Sequence, residues 1–207
     1  MMNSFDAKPV KEIFCRLFVL AIQNKVNFLA FTKALERSEF AYKIEDGKYD
    51  EYFHKSLIDI FYDITNVRLN EDTSFGIFND AYWCGHAYFE LHQKTERPFV
   101  YIFLKLPLSK MIDLYSIYHE MDFSSLLAYF DKVIREKTIL RLLCEEKKCS
   151  LSELSESTCI NKATLAKYNA ADEYLFKGSF QFIYRLSLFF DAPLHLFFIS
   201  FHIKNAL

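Results

Sequence analysis

Apolar residues recur at intervals of three and four along almost the whole chain, and polar breaks cut that pattern into helical lengths. Ile13, Phe14, Leu17, Phe18, Leu20, Ala21, Phe28, Leu29 and Leu35 describe a long helix or two over residues 9–36, with Asn24 and Asn27 marking a bend. Ser38 precedes a short helical stretch through Ile44 that Gly47 stops. A further helix spans about 50–65, with Phe53, Leu57, Ile58, Ile60, Phe61 and Ile64 on its inner side. Residues 66–75 are polar and aperiodic, which reads as an exposed loop.

A dense aromatic stretch follows, opened by Asn79 or Asp80 as a cap and closed before Pro98. Tyr82, Trp83, Ala87, Phe89, Glu90 and Leu91 cannot all face one way, so this helix is either buried nearly all round or meets a partner on one side. Phe99 to Leu104 is a short apolar run that periodicity alone leaves open; with no partner strand in view, helix is the choice. Pro107 restarts the chain, and Asp122 or Ser124 opens a helix through Phe130 and Ile134. Five helices are expected in the last third, at about 137–147, 151–157, 162–169, 179–190 and 194–203, with Ser150 capping the second.

Composition narrows the class. The chain is 52% hydrophobic and 18% aromatic, yet holds only four Gly and four Pro. A sandwich or barrel needs a turn every ten residues or so, so scarce turn formers point to an all-α protein. Two domains fit the length: a helical partner-binding or sensing domain over 1–136 and a second domain over 137–207, with no flexible linker between. Five cysteines without paired spacing imply reduced thiols in a cytoplasmic protein. No secretion signal opens the chain, and charges or Pro193 interrupt every apolar run before the roughly 18 residues a membrane span needs, so no membrane association is expected.

Net charge is −2, which by itself does not suggest a polyanionic partner. Its distribution is uneven. Residues 137–207 hold nine Lys or Arg against seven Asp or Glu, a balance of +2, and the remainder holds sixteen against twenty, a balance of −4.

The stretch SLSELSESTCINKATLAKY, residues 150–168, carries the most specific spacing. Two short helices with a tight corner between them require a small residue where they press together, a turn residue, an apolar plug and an apolar position inside the second helix. Ser155, Cys159, Ile160 and Leu165 fill those places in order. The run Leu154, Ser155, three residues, Cys159, Ile160, Asn161, two residues, Thr164, Leu165 resembles the phage-repressor, or XRE-type, helix-turn-helix domain. Cys159 stands where that pattern has glycine, so a positive φ there carries strain. Asp172 and Glu173 lie in the following connection, where they oppose a nearby phosphate.

The resemblance implies double-stranded DNA as a partner. Asn161, Lys162, Ala163, Thr164 and Lys167 would point into the major groove: Asn pairs bidentately with adenine, Lys donates to guanine or phosphate, and the Ala and Thr methyls suit thymine. Ser150 and Ser152 would hold phosphate at the start of the first helix. One short recognition helix contacts few phosphates, which implies a homodimer. Residues 76–122 resemble, more loosely, a helical domain of unassigned function in bacterial and prophage proteins, a likeness that transfers no catalytic residue. Together these suit a transcriptional regulator of prophage or antitoxin type whose protein partner, a toxin, is encoded nearby.

Two other readings compete. One is a protein-interaction module whose helix-turn-helix no longer binds DNA. The other is an enzyme using His86, His119 and Glu120, with Cys84 as a thiol nucleophile. Neither His cluster has a helical metal spacing, and no Gly-rich phosphate loop or CxxC pair is present, so no metal, cofactor or catalytic activity is expected.

Overall fold

The computed structural model describes residues 8–69 and 79–197. Among these residues every regular element is helical: thirteen α-helices and two short 3-10 helices, with no strand. The protein is all-α. The chain divides into two compact units, 1–127 and 128–207, so the boundary falls nine residues before the one expected from sequence.

In the first unit, α1 (Lys8–Gln23) and α2 (Phe28–Glu36) are separate helices. Asn27 divides them by accepting the Ala30 amide at its side chain, 3.0 Å away. Ser38 caps α3 (Glu39–Glu45) in the same way, and Gly47 follows its end with φ 71°. The single helix expected over 50–65 is instead a 3-10 helix, Asp50–His54, followed by α4 (Leu57–Thr65). Ser56 causes the break, since its hydroxyl accepts the Asp59 amide at 3.1 Å and so begins a new helix. The shift of phase buries Tyr52 and leaves Phe53 41% exposed. Of the expected loop, residues 66–69 are non-helical; 70–75 lie outside the described residues, as do the first aromatics of the stretch that follows.

Next come α5 (Asn79–Thr95), α6 (Phe99–Lys105) and α7 (Leu108–Tyr118). Burial takes one side of α5, with Ala81, Cys84, Gly85, Ala87, Tyr88, Phe89 and Leu91 buried, while Tyr82 is 38% exposed and Trp83, His86 and Glu90 are half-buried. It crosses α1 so closely that a Cβ on Gly85 would lie 2.6 Å from the Cys15 Cα, so only glycine permits this approach. Rings fill the space around the crossing: Phe14 stacks on Phe99 at 4.7 Å between centroids, while Phe18 meets Phe31 edge-on at 5.1 Å. The Tyr88 hydroxyl, wholly buried, is satisfied by donating to the Leu106 carbonyl at 2.7 Å.

The unit boundary falls within α8 (Phe123–Glu136). The second unit continues with α9 (Ile139–Lys147), α10 (Leu151–Thr158), α11 (Lys162–Ala170), α12 (Asp172–Phe176) and α13 (Phe180–Phe190). The sequence pattern did not reveal α12, whose five residues are too short for a period to register. Where a helix is expected over 194–203, Leu194–Phe197 forms a 3-10 helix, and residues 198–203 lie outside the described residues. Ile139, Leu140, Leu143, Leu154, Ile160, Leu165, Leu175, Ile183 and Leu186 form the core of this unit.

Candidate nucleic-acid interface

The corner between α10 and α11 is built from short-range signals. Ser150 opens α10 with a reciprocal capping box: its hydroxyl accepts the Glu153 amide at 3.2 Å, and the Glu153 carboxylate accepts the Ser150 amide at 2.7 Å. The chain leaves α10 through Cys159, held at φ 54° in the left-handed region. Ile160 then turns inward, 1% exposed, and the Ser155 hydroxyl donates to its carbonyl at 2.7 Å. Ser155, Cys159 and Ile160 thus meet at the turn between α10 and α11.

The expected contact residues fall into three groups. Leu165 and Tyr168 face the core, which leaves Lys162, Ala163, Ala166, Lys167 and Ala170 exposed along α11, with Thr164 half-buried beside them. Lys162 and Lys167 are therefore two cations on a narrow face whose other side chains are methyl groups. Asn161 is exposed but lies before the helix as its N-cap, its amide oxygen accepting the Ala163 amide at 2.8 Å. A bidentate pair with adenine needs that oxygen as well as the amide nitrogen, so the cap competes with base reading.

Ser152 is exposed, but Ser150 already gives both its amide and its hydroxyl to Glu153. The Ser150 amide, followed by its hydroxyl, holds the Glu153 carboxyl below its usual range, so an anion already occupies the start of α10. Asp172 is engaged too. Its carboxylate accepts the Ile139 amide at 2.6 Å and so caps α9 from 33 residues away, which turns a residue expected to repel phosphate into a structural cap.

No family model, no curated protein and no solved structure matches this chain.

Two contacts outside the sequence motif tie α13 to other helices of this unit, and one of them is at the corner. Arg185 on α13 reaches back to the end of α10, its Nη1 donating to the carbonyls of Thr158 at 3.2 Å and Cys159 at 3.4 Å. Lys147 donates to the Phe189 carbonyl with its ammonium 4.4 Å from the centre of the same residue's ring. Neither partner is signalled by spacing, because 27 and 42 residues separate them. Lys137 and Arg141 are paired with Glu145 at 2.7 and 3.1 Å, which leaves the positive character of this unit to a few exposed lysines.

Of the residues of the enzyme reading, His119 and Glu120 lie together, Nε2 to Oε1 at 3.5 Å. His86 is half-buried, and burial, then Lys11, lowers its pKa while Glu90 opposes the shift. Glu90 is occupied by an ion pair with Lys11 at 2.6 Å. The His119 Nδ1–H donates to the Tyr115 carbonyl, 2.7 Å away, and the ring stacks on that of Tyr115, while Glu120 is 85% exposed. Burial raises the thiol pKa of Cys84, the opposite of an activated nucleophile. Among the described residues no three His, Cys, Asp or Glu side chains are grouped to hold a metal ion, and no helix is long and apolar enough to cross a membrane.

Proposed function

We propose that the second unit binds double-stranded DNA with α11 in the major groove, and that the chain is a transcriptional regulator of prophage or antitoxin type. The observation that carries this reading is the exposed face of α11. Lys162 and Lys167 frame Ala163 and Ala166 on a helix whose opposite face is locked by Leu165 and Tyr168. A thin face of this kind suits a groove about 12 Å wide, where methyl groups meet thymine and ammonium groups meet guanine or phosphate. Base reading falls to Lys162, Ala163 and Thr164, with Lys167 supplying sequence-independent attraction.

The exposed cations are few, so useful affinity requires two copies. The apolar row Phe180, Tyr184 and Leu188 on α13, 64%, 46% and 64% exposed, supports a second copy as the partner. The row is centred on Tyr184. Antiparallel pairing about a two-fold axis through Tyr184 sets Phe180 against Leu188 of the other copy. The first unit then takes the partner-binding role, with a toxin as its partner.

The same apolar row also favours a second reading, an interaction module without DNA binding, since exposed acids on α10 (Glu153 and Glu156) offset the two lysines. Titrating the full chain against duplex DNA from its own upstream region, at two salt concentrations, separates the two. Binding that weakens as salt rises, with the slope reduced by about one in Lys167→Ala, supports the DNA reading. A folded protein that binds no duplex at low salt leaves the interaction module in its place.

A further inference from the structure

All five cysteines are free thiols, yet two of them share one turn. Cys144 lies in the last turn of α9 and Cys149 just beyond its end, where Lys148 adopts φ 54° and terminates the helix. The Cys149 amide donates to the Cys144 carbonyl at 3.0 Å, and the Lys148 amide to the Glu145 carbonyl at 3.3 Å. This is the paired hydrogen-bond pattern that brings the residue after a helix end back against the helix's last turn. Cys149 is near enough to Cys144 to raise its thiol pKa. Both residues are half-buried and line an open cleft of ≈ 480 Å³ with Arg141, Lys148, Ser150 and Asn169.

We propose that Cys144 and Cys149 are a modification site: a dithiol that a peroxide oxidises to an intrachain disulfide. The turn already draws the two backbones toward the roughly 4.4–6.8 Å Cα separation that a disulfide spans, so the bond closes without unwinding α9 or α10. Burial and the neighbouring Cys149 push the Cys144 thiol up to about 12, which disfavours Cys144 as the first thiolate to react. The Cys149 thiolate displaces one oxygen of the peroxide, the O–O bond breaks, and a sulfenic acid and one water or alcohol result. The Cys144 sulfur then attacks that sulfenic sulfur; an S–S bond forms, the S–O bond breaks, and the Cys144 proton leaves with the departing hydroxide as water. Two thiols are oxidised and one peroxide is reduced. The reaction is independent of DNA binding, although its product would brace the turn that carries the Ser150 cap.

The test treats the reduced full chain with hydrogen peroxide, blocks remaining thiols with iodoacetamide and maps tryptic peptides by mass spectrometry. Cleavage after Arg141, Lys147, Lys148 and Lys162 places Cys144 in the peptide 142–147, and Cys149 with Cys159 in the peptide 149–162. The proposal expects these two peptides to be joined within one chain, the link to persist in Cys159→Ser, to vanish in Cys149→Ser and to be released by dithiothreitol. Wild-type chain in which both thiols stay alkylated after peroxide overturns it. So does a link that disappears in Cys159→Ser, or one that joins isotope-labelled to unlabelled chains.

Discussion

The Arg185 guanidinium donates to the carbonyl oxygens of Thr158 and Cys159, so α13 fastens the end of α10 at the point where the chain turns toward α11. Hydrogen bonds from a charged donor are worth about 1.5–3 kcal/mol, and these two satisfy carbonyls that the helix itself leaves open. Arg185→Ala should speed hydrogen exchange across residues 154–165 and lower the stability of the second unit by about 1–3 kcal/mol. Arg185→Lys should recover part of the loss, because an ammonium on a flexible stem lacks the rigid fork. Unchanged exchange in the alanine variant would show that the corner holds without Arg185.

Cys159 pays for its position at φ 54°. The left-handed conformation costs an L-residue roughly 1–2 kcal/mol, and glycine's greater freedom in the unfolded chain returns part of that difference. Cys159→Gly should therefore raise stability by up to about 1 kcal/mol, read as a higher urea midpoint with an unchanged slope. A lower midpoint would mean that the Cys159 side chain, which reaches the Glu156 carbonyl at 3.9 Å, contributes more than the strain removes.

Asn161 is the cap of α11, and that role can be separated by experiment from a base contact. Loss of the cap in Asn161→Ala should cost about 1 kcal/mol of stability, whereas Asn161→Ser keeps an acceptor for the Ala163 amide and should be nearly neutral. Affinity for DNA distinguishes the roles. If Asn161 acts through the cap, Ser restores binding; if its amide reads adenine, both variants lose about 1–3 kcal/mol on the preferred site and little on random duplex.

Gly85→Ala should destabilise the first unit by about 1–3 kcal/mol or more, because its Cβ meets backbone of α1 and no side chain can rotate away. Trp83, two residues along α5 and packed against Tyr115 at 5.7 Å, gives a fluorescence signal specific to this unit. Removing the Cys15 side chain as well should not rescue the variant, since the atom met is the Cys15 Cα.

Glu45 makes the first unit sensitive to pH. Its carboxylate accepts the Phe99 amide at 2.7 Å at the start of α6, but burial outweighs that bond and raises its pKa to about 7. A carboxyl whose folded pKa lies above its unfolded value binds more protons when folded. Its contribution is full below the unfolded pKa near 4.5 and is lost as pH rises through about 7, at about 1.4 kcal/mol per pKa unit of difference. His92 works in the opposite direction: burial lowers its pKa, so it destabilises the unit as pH falls below the ordinary histidine range. Glu45→Gln keeps an acceptor for Phe99 and should flatten the fall in melting temperature between pH 5 and 8 (roughly the span of that titration). A parallel pH profile in the variant would remove Glu45 as the cause.

The helical class, the division at Asn27, the caps at Ser38 and Ser150 and the turn at Cys159 were all legible in the sequence, because each depends on groups within four or five residues of one another. Ser56 and Asn161 were equally local, and reading them as caps would have split the helix at 50–65 and placed Asn161 ahead of α11. Tertiary structure decided the rest. Arg185 on Thr158, Asp172 on Ile139 and Gly85 against Cys15 join positions 27, 33 and 70 residues apart, and nothing in the chain between them fixes that distance. Cys144 and Cys149 show the limit most plainly. Their five-residue spacing carries no thiol motif, and only the left-handed turn at Lys148 folds the second thiol back onto the first.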